Sequence, residues 1–192
     1  AGKLMNHSAD SLFRHRIELI PNCGHSIDYS LTTPWLKTYK RNPYPHTFMW
    51  EDYPMDGQRR QGFYNLYVMK RPKAADGLKD ASGEDRDYYE MDIKDNVIRL
   101  SVKNVTYQTL ERDPVYGIDL KFTKSNHPVI GGKWKIYLND QLVDMNRPVT
   151  VFINDRKAFE GKLVPRMEDM ITSCMEYFDP CRVFPASVDV AL

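Results

Sequence analysis

The chain has 192 residues, of which 42% are hydrophobic and 28% charged, a composition typical of a globular protein. Its 27 basic and 26 acidic residues leave a net charge of +1, which argues against a dedicated nucleic-acid-binding protein. No apolar run reaches the roughly 20 residues of a membrane-spanning helix, and an odd number of cysteines, three, excludes a complete disulfide framework.

The first 45 residues alternate between helical, extended and loop patterns. The chain begins at Ala1 rather than at Met, so we expect it to be processed or cut from a longer protein. Arg16–Ile20 alternates and stops at a proline, which predicts one short strand. A helix is predicted over 33–40, with Thr33 as N-cap and Pro34 at the first helical position. This segment, residues 1–45, is too short to enclose a core of its own.

From residue 46 the sequence changes to short runs typical of β-strands. Gly62–Lys70 alternates well, and the residues Asn154–Lys157 between two runs predict a hairpin, because Asn and Asp tolerate positive φ. The sequence therefore predicts an antiparallel β-sandwich, immunoglobulin- or fibronectin-like, over 46–192. The predicted strands cover 48–52, 62–70, 88–93, 97–105, 117–122, 133–138, 149–153, 158–163 and 186–192.

One segment of the second part has helical periodicity instead. Its apolar residues recur at i, i+3, i+4, i+7, i+8 and i+11, which predicts an amphipathic helix whose apolar face packs into the core. Cys174 lies on that face, so core packing is its predicted role. The charged stretch Lys73–Arg86 predicts a mobile loop. The apolar positions of the helix are Met167, Met170, Ile171, Cys174, Met175 and Phe178.

The sharpest local feature is a strand that leads into a tight loop carrying His25. A histidine on a loop just past a strand end is both exposed and held, as a general base must be. Gly24-His25-Ser26-Ile27-Asp28-Tyr29, followed by Thr33-Pro34-Trp35-Leu36, resembles the C-terminal end of an α/β-hydrolase domain of the esterase or prolyl-oligopeptidase type. In that family the catalytic histidine follows the last strand.

The resemblance implies a parent enzyme that hydrolyses ester or peptide bonds with a serine nucleophile and without a metal or other cofactor. His25 would supply the triad histidine, and residues 46–192 would form an accessory sandwich. The sequence contains no Gly-x-Ser-x-Gly elbow, so we expect this chain alone to be inactive. The implied partners are an upstream hydrolase domain or a second copy of the chain. Analogy with such enzymes favours a periplasmic or extracellular location.

A second hypothesis comes from the aromatic residues between 35 and 67. Exposed Trp and Tyr rings stack on sugars or anchor partner proteins, so Trp35, Trp50 and Tyr53 are candidate binding residues of a non-catalytic module. The alternative is that these rings only pack the junction between the two parts of the chain. The histidines and cysteines show no metal-ligand spacing, and a small free-standing enzyme is the weakest hypothesis, because no complete catalytic set is visible.

Overall fold

The structure, a computed structural model, describes residues 29–54, 57–77 and 86–192. The chain divides into two compact units, one through Arg41 and one from Asn42 to Leu192. The described part of the first unit forms helix α1, Thr32–Lys37. The predicted strand at 16–20 and His25 lie outside the described residues.

Helix α1 begins earlier than predicted and ends earlier as well. Leu31 occupies the N-cap position and its side chain caps nothing. The backbone N–H groups of Thr32 and Thr33 both donate to the carbonyl of Tyr29, and the helix starts two residues too early for Thr33 to be its N-cap. Pro34 therefore lies in the third helical position, still within the first turn, where its missing N–H leaves no helical bond unmade.

The described part of the second unit contains twelve strands, an α-helix and a 3₁₀ turn. The elements are β1 (Thr47–Asp52), β2 (Gly62–Phe63), β3 (Leu66–Lys70), β4 (Lys73–Ala74), β5 (Arg86–Lys94), β6 (Val97–Arg112), β7 (Asp119–His127), β8 (Val129–Ile130), β9 (Lys133–Leu138), β10 (Val149–Ile153), β11 (Arg156–Gly161), α2 (Met167–Tyr177), the 3₁₀ turn (Pro180–Arg182) and β12 (Ala186–Ala191).

Two sheets enclose one hydrophobic core. The large sheet has the order β1-β5-β6-β10-β11, with β7 also paired to β6, and the small sheet has the order β12-β9-β3-β2. Alternate residues of both sheets point inward, as in β9, where Trp134, Ile136 and Leu138 are all buried. Tyr89 of the large sheet meets Trp134 of the small one edge to face, with ring centroids 6.5 Å apart. The prediction of a mainly β sandwich with an amphipathic helix is confirmed.

Three predicted details of the strands are wrong. The run 62–70 is a hairpin, because Tyr64 takes positive φ and Phe63 pairs with Leu66. The sheets are not wholly antiparallel, since β10 runs parallel to β6. The charged segment 73–86 has strand at both described ends: β4 pairs with β8, and Arg86 starts β5.

The β6 and β7 strands extend beyond the rest of the large sheet. The pairing of β5 with β6 ends at Val105, and from Thr106 onward the described residues of β6 pair only with β7. We call residues 106–125 the β6–β7 arm. It carries six large apolar side chains at 54–79% exposure: Leu110, Val115, Tyr116, Ile118, Leu120 and Phe122.

Candidate functional site

The predicted site residues belong to different parts of the chain. His25 lies outside the described residues, and Trp35 belongs to the first unit, where its ring meets Tyr39 edge to face at 5.2 Å. Trp50 is only 7% exposed. Its ring stacks on Phe63 and on Tyr89, with centroids 5.4 Å and 5.1 Å away. Trp50 is therefore a core residue, and the prediction that it offers an open binding face is wrong.

Tyr53 is the most accessible of the predicted aromatic residues in the second unit, at 40% exposure. The guanidinium of Arg86 lies over one face of its ring at 4.0 Å, a cation–π contact that covers that face. The tyrosine borders a cleft of about 470 Å³. The remaining lining residues are Trp50, Glu51, Asp52, Gln58, Arg59, Arg60 and Phe63.

A buried ionic cluster lies at one end of the sandwich core. Asp52 and Asp87 are 2% and 1% exposed, and they stand directly opposite each other on β1 and β5. The Arg71 guanidinium forms ion pairs with both carboxylates, at 2.8 Å from Asp87 Oδ2. Arg59 Nη1 lies within 3.8 Å of both. The two arginines thus balance two carboxylates that would otherwise repel each other in a region of low polarity.

Burial dominates the electrostatics of this cluster. It raises the pKa of Asp87 above the ordinary range, although the hydrogen bond and the charge of Arg71 act in the opposite direction. Asn104, fully buried on β6, donates to Asp87 Oδ1 at 3.4 Å. The Tyr89 hydroxyl donates to Asp87 Oδ2 at 3.3 Å. The cluster makes ion pairs and hydrogen bonds among its own members, which is typical of a structural role.

Sequence reasoning missed this cluster, yet the sequence contains a signal for it. The inward-facing residues of β1, β5 and β6 are apolar along most of each strand. At one shared end of the sheet the inward-facing residues are polar instead: Asp52, Asp87 and Asn104. These three residues are neighbours across the strands. A polar residue in the buried phase of each of three adjacent strands predicts a buried polar cluster.

Helix α2 forms at the predicted residues, but its polar face, rather than its apolar face, packs against the sandwich. Its two buried residues are Asp169 and Ser173, which are polar. Asp169 accepts hydrogen bonds from Arg166 and from the Ser187 hydroxyl of β12 at 2.8–3.1 Å. The Ser173 hydroxyl accepts from the Phe184 N–H at 2.9 Å. The apolar face cannot reach the core, because these polar contacts fix the other face on the small sheet.

Aromatic side chains complete the attachment of α2. The Tyr137 hydroxyl, on the outer side of the small sheet, donates to Glu176 at 2.7 Å, and Tyr177 donates to the Leu66 carbonyl at 3.2 Å. Tyr137 also stacks on Phe184 with centroids 5.6 Å apart. Burial raises the pKa values of both Tyr137 and Glu176. The helix is therefore bound to the sandwich mainly by polar and aromatic side chains.

The apolar residues of α2 consequently face outward. Cys174 is exposed and makes no disulfide, so the prediction that it packs in the core is wrong. The other apolar residues are 39–89% exposed. We call this surface the α2 apolar face, which consists of Met167, Met170, Ile171, Cys174, Met175 and Phe178.

Phe178, at the end of this face, adopts an unusual backbone conformation. It follows the last helical residue with φ 48° and ψ 36°, and its N–H donates to the Cys174 carbonyl. Glycine is the usual residue in such a left-handed cap, because a side chain there is strained. The Phe178 side chain is nevertheless 89% exposed, so within the described residues it gains little packing in return for the strain.

Comparison of the chain with known protein families, with curated protein sequences and with solved structures gave no significant match. Among the described residues, no helix is long and apolar enough to cross a membrane. The functional argument therefore starts from the surfaces and contacts of the described residues.

Proposed function

We propose that the β-sandwich is a non-catalytic accessory module that binds another protein through the α2 apolar face. The observation that carries this proposal is the orientation of α2, whose polar face is held on the small sheet while five apolar side chains are 39–89% exposed. Contiguous exposed apolar surfaces are typical of protein-binding sites. Methionine-rich surfaces suit this role, because the unbranched thioether side chain adapts to its partner.

Phe178 supports the same proposal. Backbone strain persists where the surrounding structure or the function requires it. Here a strained backbone holds a large aromatic side chain in solvent beside the helix. Aromatic residues are frequent among the residues that contribute most to protein binding. A partner that covers Phe178 would give the strained residue a function.

The proposal is tested by site-specific photo-crosslinking in the cells that make the protein. A benzoylphenylalanine at position 178 should give a heavier, protein-containing adduct on irradiation, because the partner contacts the photoreactive ring. The same residue at Ile130, which is 58% exposed on β8, is the matched control and should give none. Absence of a protein adduct at position 178 would contradict the proposed function.

The resemblance noted in the sequence supports a second proposal, about the parent enzyme. It would be a serine α/β-hydrolase in which His25 completes a triad whose nucleophile and acid lie upstream of this chain. An immunoglobulin- or fibronectin-like class for the sandwich, and export from the cytoplasm, belong to the same proposal. We expect the purified chain to leave 4-nitrophenyl esters intact, because it lacks the nucleophile motif. Hydrolysis that disappears in His25→Ala would contradict this expectation.

The cleft beside Tyr53 supports one further candidate function, carbohydrate binding. Its wall combines an aromatic ring with carboxylate, amide and guanidinium groups, the side chains that stack on sugar rings and bond their hydroxyls. Titration calorimetry with soluble polysaccharides tests this function. Binding should be lost in Tyr53→Ala and kept in Tyr116→Ala, a tyrosine 78% exposed on the β6–β7 arm. Equal polysaccharide binding by both variants would show that the cleft beside Tyr53 is not the carbohydrate-binding site.

A further inference from the structure

We propose that the cleft beside Tyr53 and a second cleft next to it bind a polysaccharide that carries carboxylate groups, with Arg60 as the residue that binds the negative charge. This inference rests on the candidate carbohydrate-binding function and names its ligand class. The second cleft has a volume of about 580 Å³, and both clefts are within the size range of small-molecule sites. Residues 58–60 line both clefts, and we call the two together the arginine groove. The remaining lining residues of the second cleft are Gln61, Gly62, Tyr67, Arg71, Glu176 and Tyr177.

The walls of the second cleft carry the kinds of groups that bind sugars. The Tyr67 hydroxyl donates to Gln61 Oε1 at 3.1 Å, which orients the amide and leaves its NH2 group as a donor. The Tyr177 ring is held by its hydrogen bond to the Leu66 carbonyl. Gly62 lets the backbone approach this ring, because a Cβ there would lie 2.6 Å from Tyr177 Cε1. Aromatic rings and amide groups therefore line both halves of the arginine groove.

The acidic side chains of the arginine groove already have partners. Glu51 pairs with Lys124 at 2.7 Å, and Asp52 forms an ion pair with Arg71. Glu176 accepts a tyrosine hydroxyl at 2.7 Å, and burial raises its pKa, which favours its neutral form. These carboxylates therefore offer little repulsion to an incoming anion.

Arg60 supplies a positive charge that no acidic residue of the groove balances. Its backbone carbonyl accepts a hydrogen bond from Arg71 at 2.9 Å, which holds the residue in place. Among the described residues, its exposed side chain makes no ion pair and no hydrogen bond. A guanidinium is always charged and has five N–H donors in a planar fork that matches a carboxylate. Since Arg60 lines both clefts, it lies where a chain of sugars would pass from one cleft to the other.

The arginine groove favours an extended ligand over a single small anion. Arg86 covers one face of the Tyr53 ring, and the other face borders the groove. A sugar ring can stack on that face, whereas a small anion would contact Arg60 without using the aromatic and amide walls. The ligand that uses both features combines sugar rings with negative charge, as in a chain of uronic acids.

Titration calorimetry with polygalacturonate and with its fully methyl-esterified form tests the ligand class, because esterification removes the negative charge and keeps the sugar chain. We expect polygalacturonate to bind about tenfold more tightly or better, as one charge-assisted hydrogen bond predicts. Arg60→Met should lower the affinity for polygalacturonate to that for the methyl ester, because the guanidinium is lost. Tyr53→Ala should weaken binding of both polymers, because the ring contacts the sugar.

Arg147→Met is the matched control for the loss of one positive charge. Arg147 is also exposed, but it belongs to the turn before β10 and not to the lining described for either cleft. Like that of Arg60, its backbone carbonyl accepts a side-chain N–H. This variant should bind polygalacturonate as tightly as the parent chain. Equal loss of affinity in the two arginine variants would show attraction by net charge alone and would overturn the assignment of Arg60.

The remaining outcomes separate the ligand class from the function. If both polymers bind equally and Tyr53→Ala weakens both, carbohydrate binding stands and the inference about charge is overturned. Polyglutamate is the probe for charge without sugar. If it binds as tightly as polygalacturonate and Tyr53→Ala leaves it unaffected, the groove recognises acidic peptides and the carbohydrate class is overturned. If no polysaccharide binds, both this inference and the carbohydrate-binding function fail.

Discussion

Asp52 and Asp87 face each other at the end of the core, and Arg71 is the residue that makes their burial tolerable. Replacing Arg71 with methionine keeps much of the side-chain length but leaves two buried carboxylates with only the more distant Arg59. Breaking a buried ion pair by removing one partner costs about 3–5 kcal/mol. We expect Arg71→Met to lower the free energy of unfolding, measured by urea denaturation, toward the lower end of that range.

The control for this substitution is Arg60→Met in the neighbouring cleft. The Arg60 side chain is exposed, and only its backbone carbonyl contacts Arg71. Its replacement should change the free energy of unfolding by less than about 0.5 kcal/mol. Similar losses in both variants would show that the ionic cluster does not account for the stability of this end of the core.

Phe178 predicts opposite changes in stability and in partner binding. Phe178→Gly relieves a left-handed conformation that costs a side-chain-bearing residue about 1–2 kcal/mol, so the free energy of unfolding should rise by about 1 kcal/mol. The same substitution removes an exposed aromatic side chain of the α2 apolar face and should weaken binding of the proposed protein partner. Thermal unfolding of the purified chain measures the first effect, and the yield of the photo-crosslink from benzoylphenylalanine at Met175 measures the second.

Phe178→Ala separates the backbone strain from the loss of the ring. It removes the ring but leaves a Cβ in the left-handed conformation, so it should weaken partner binding without stabilising the fold. If alanine and glycine stabilise the fold equally, exposure of the ring rather than the backbone conformation is the source of the instability.

At the scale of elements, the attachment of α2 has a pH-dependent component. Burial, the largest effect, raises the pKa of Glu176, while the Tyr137 hydrogen bond and Lys135 oppose the rise. The folded state therefore keeps the Glu176 proton at pH values where the unfolded state has lost it. Its contribution to stability falls as pH rises from the unfolded pKa, about 4.3, through the folded pKa, and is constant above it.

Glu176→Gln removes the pH dependence of stability that comes from Glu176. It should keep the Tyr137 hydrogen bond, because the amide carbonyl also accepts. We expect the variant to match the parent below about pH 4 and to be more stable at pH 7. Urea denaturation between pH 3.5 and about 8 measures the difference. Glu168→Gln, on the exposed side of the same helix, is the control. A parent chain that gains stability relative to Glu176→Gln as pH rises would contradict the assignment.

The elements themselves were largely predictable from the sequence, because alternation and turn residues are local signals. The Asn154-Asp155 turn is an example: both residues take positive φ, and the hairpin joins β10 to β11. The orientation of α2 was not predictable from periodicity alone. Periodicity shows that a helix has two faces, but Ser187 and Phe184, which bond to Asp169 and Ser173, come from segments after the helix. The same holds for Trp50, whose burial depends on Phe63 and Tyr89.

At the scale of the whole molecule, the division into a first segment of mixed helical and extended patterns and a β-rich second part follows from the sequence pattern. The pairing of strands does not, because each sheet takes strands from distant parts of the chain. The parallel pairing of β6 with β10 has no local sequence signal. The α2 apolar face also depends on this long-range assembly, since α2 binds the outer side of a sheet that contains β3, β9 and β12.

The strand order of the small sheet has a consequence for synthesis of the protein. Leu66 pairs with Ile136, and β9 in turn pairs with β12, the last strand of the chain. A ribosome adding about 5–20 residues per second therefore exposes β3 for seconds before its neighbour β9 has been synthesised. Such non-local pairing predicts refolding in milliseconds to seconds rather than microseconds. Stopped-flow fluorescence of the buried Trp50 and Trp134 measures this rate, and pulsed proteolysis of stalled nascent chains should show protection only once β12 has left the exit tunnel.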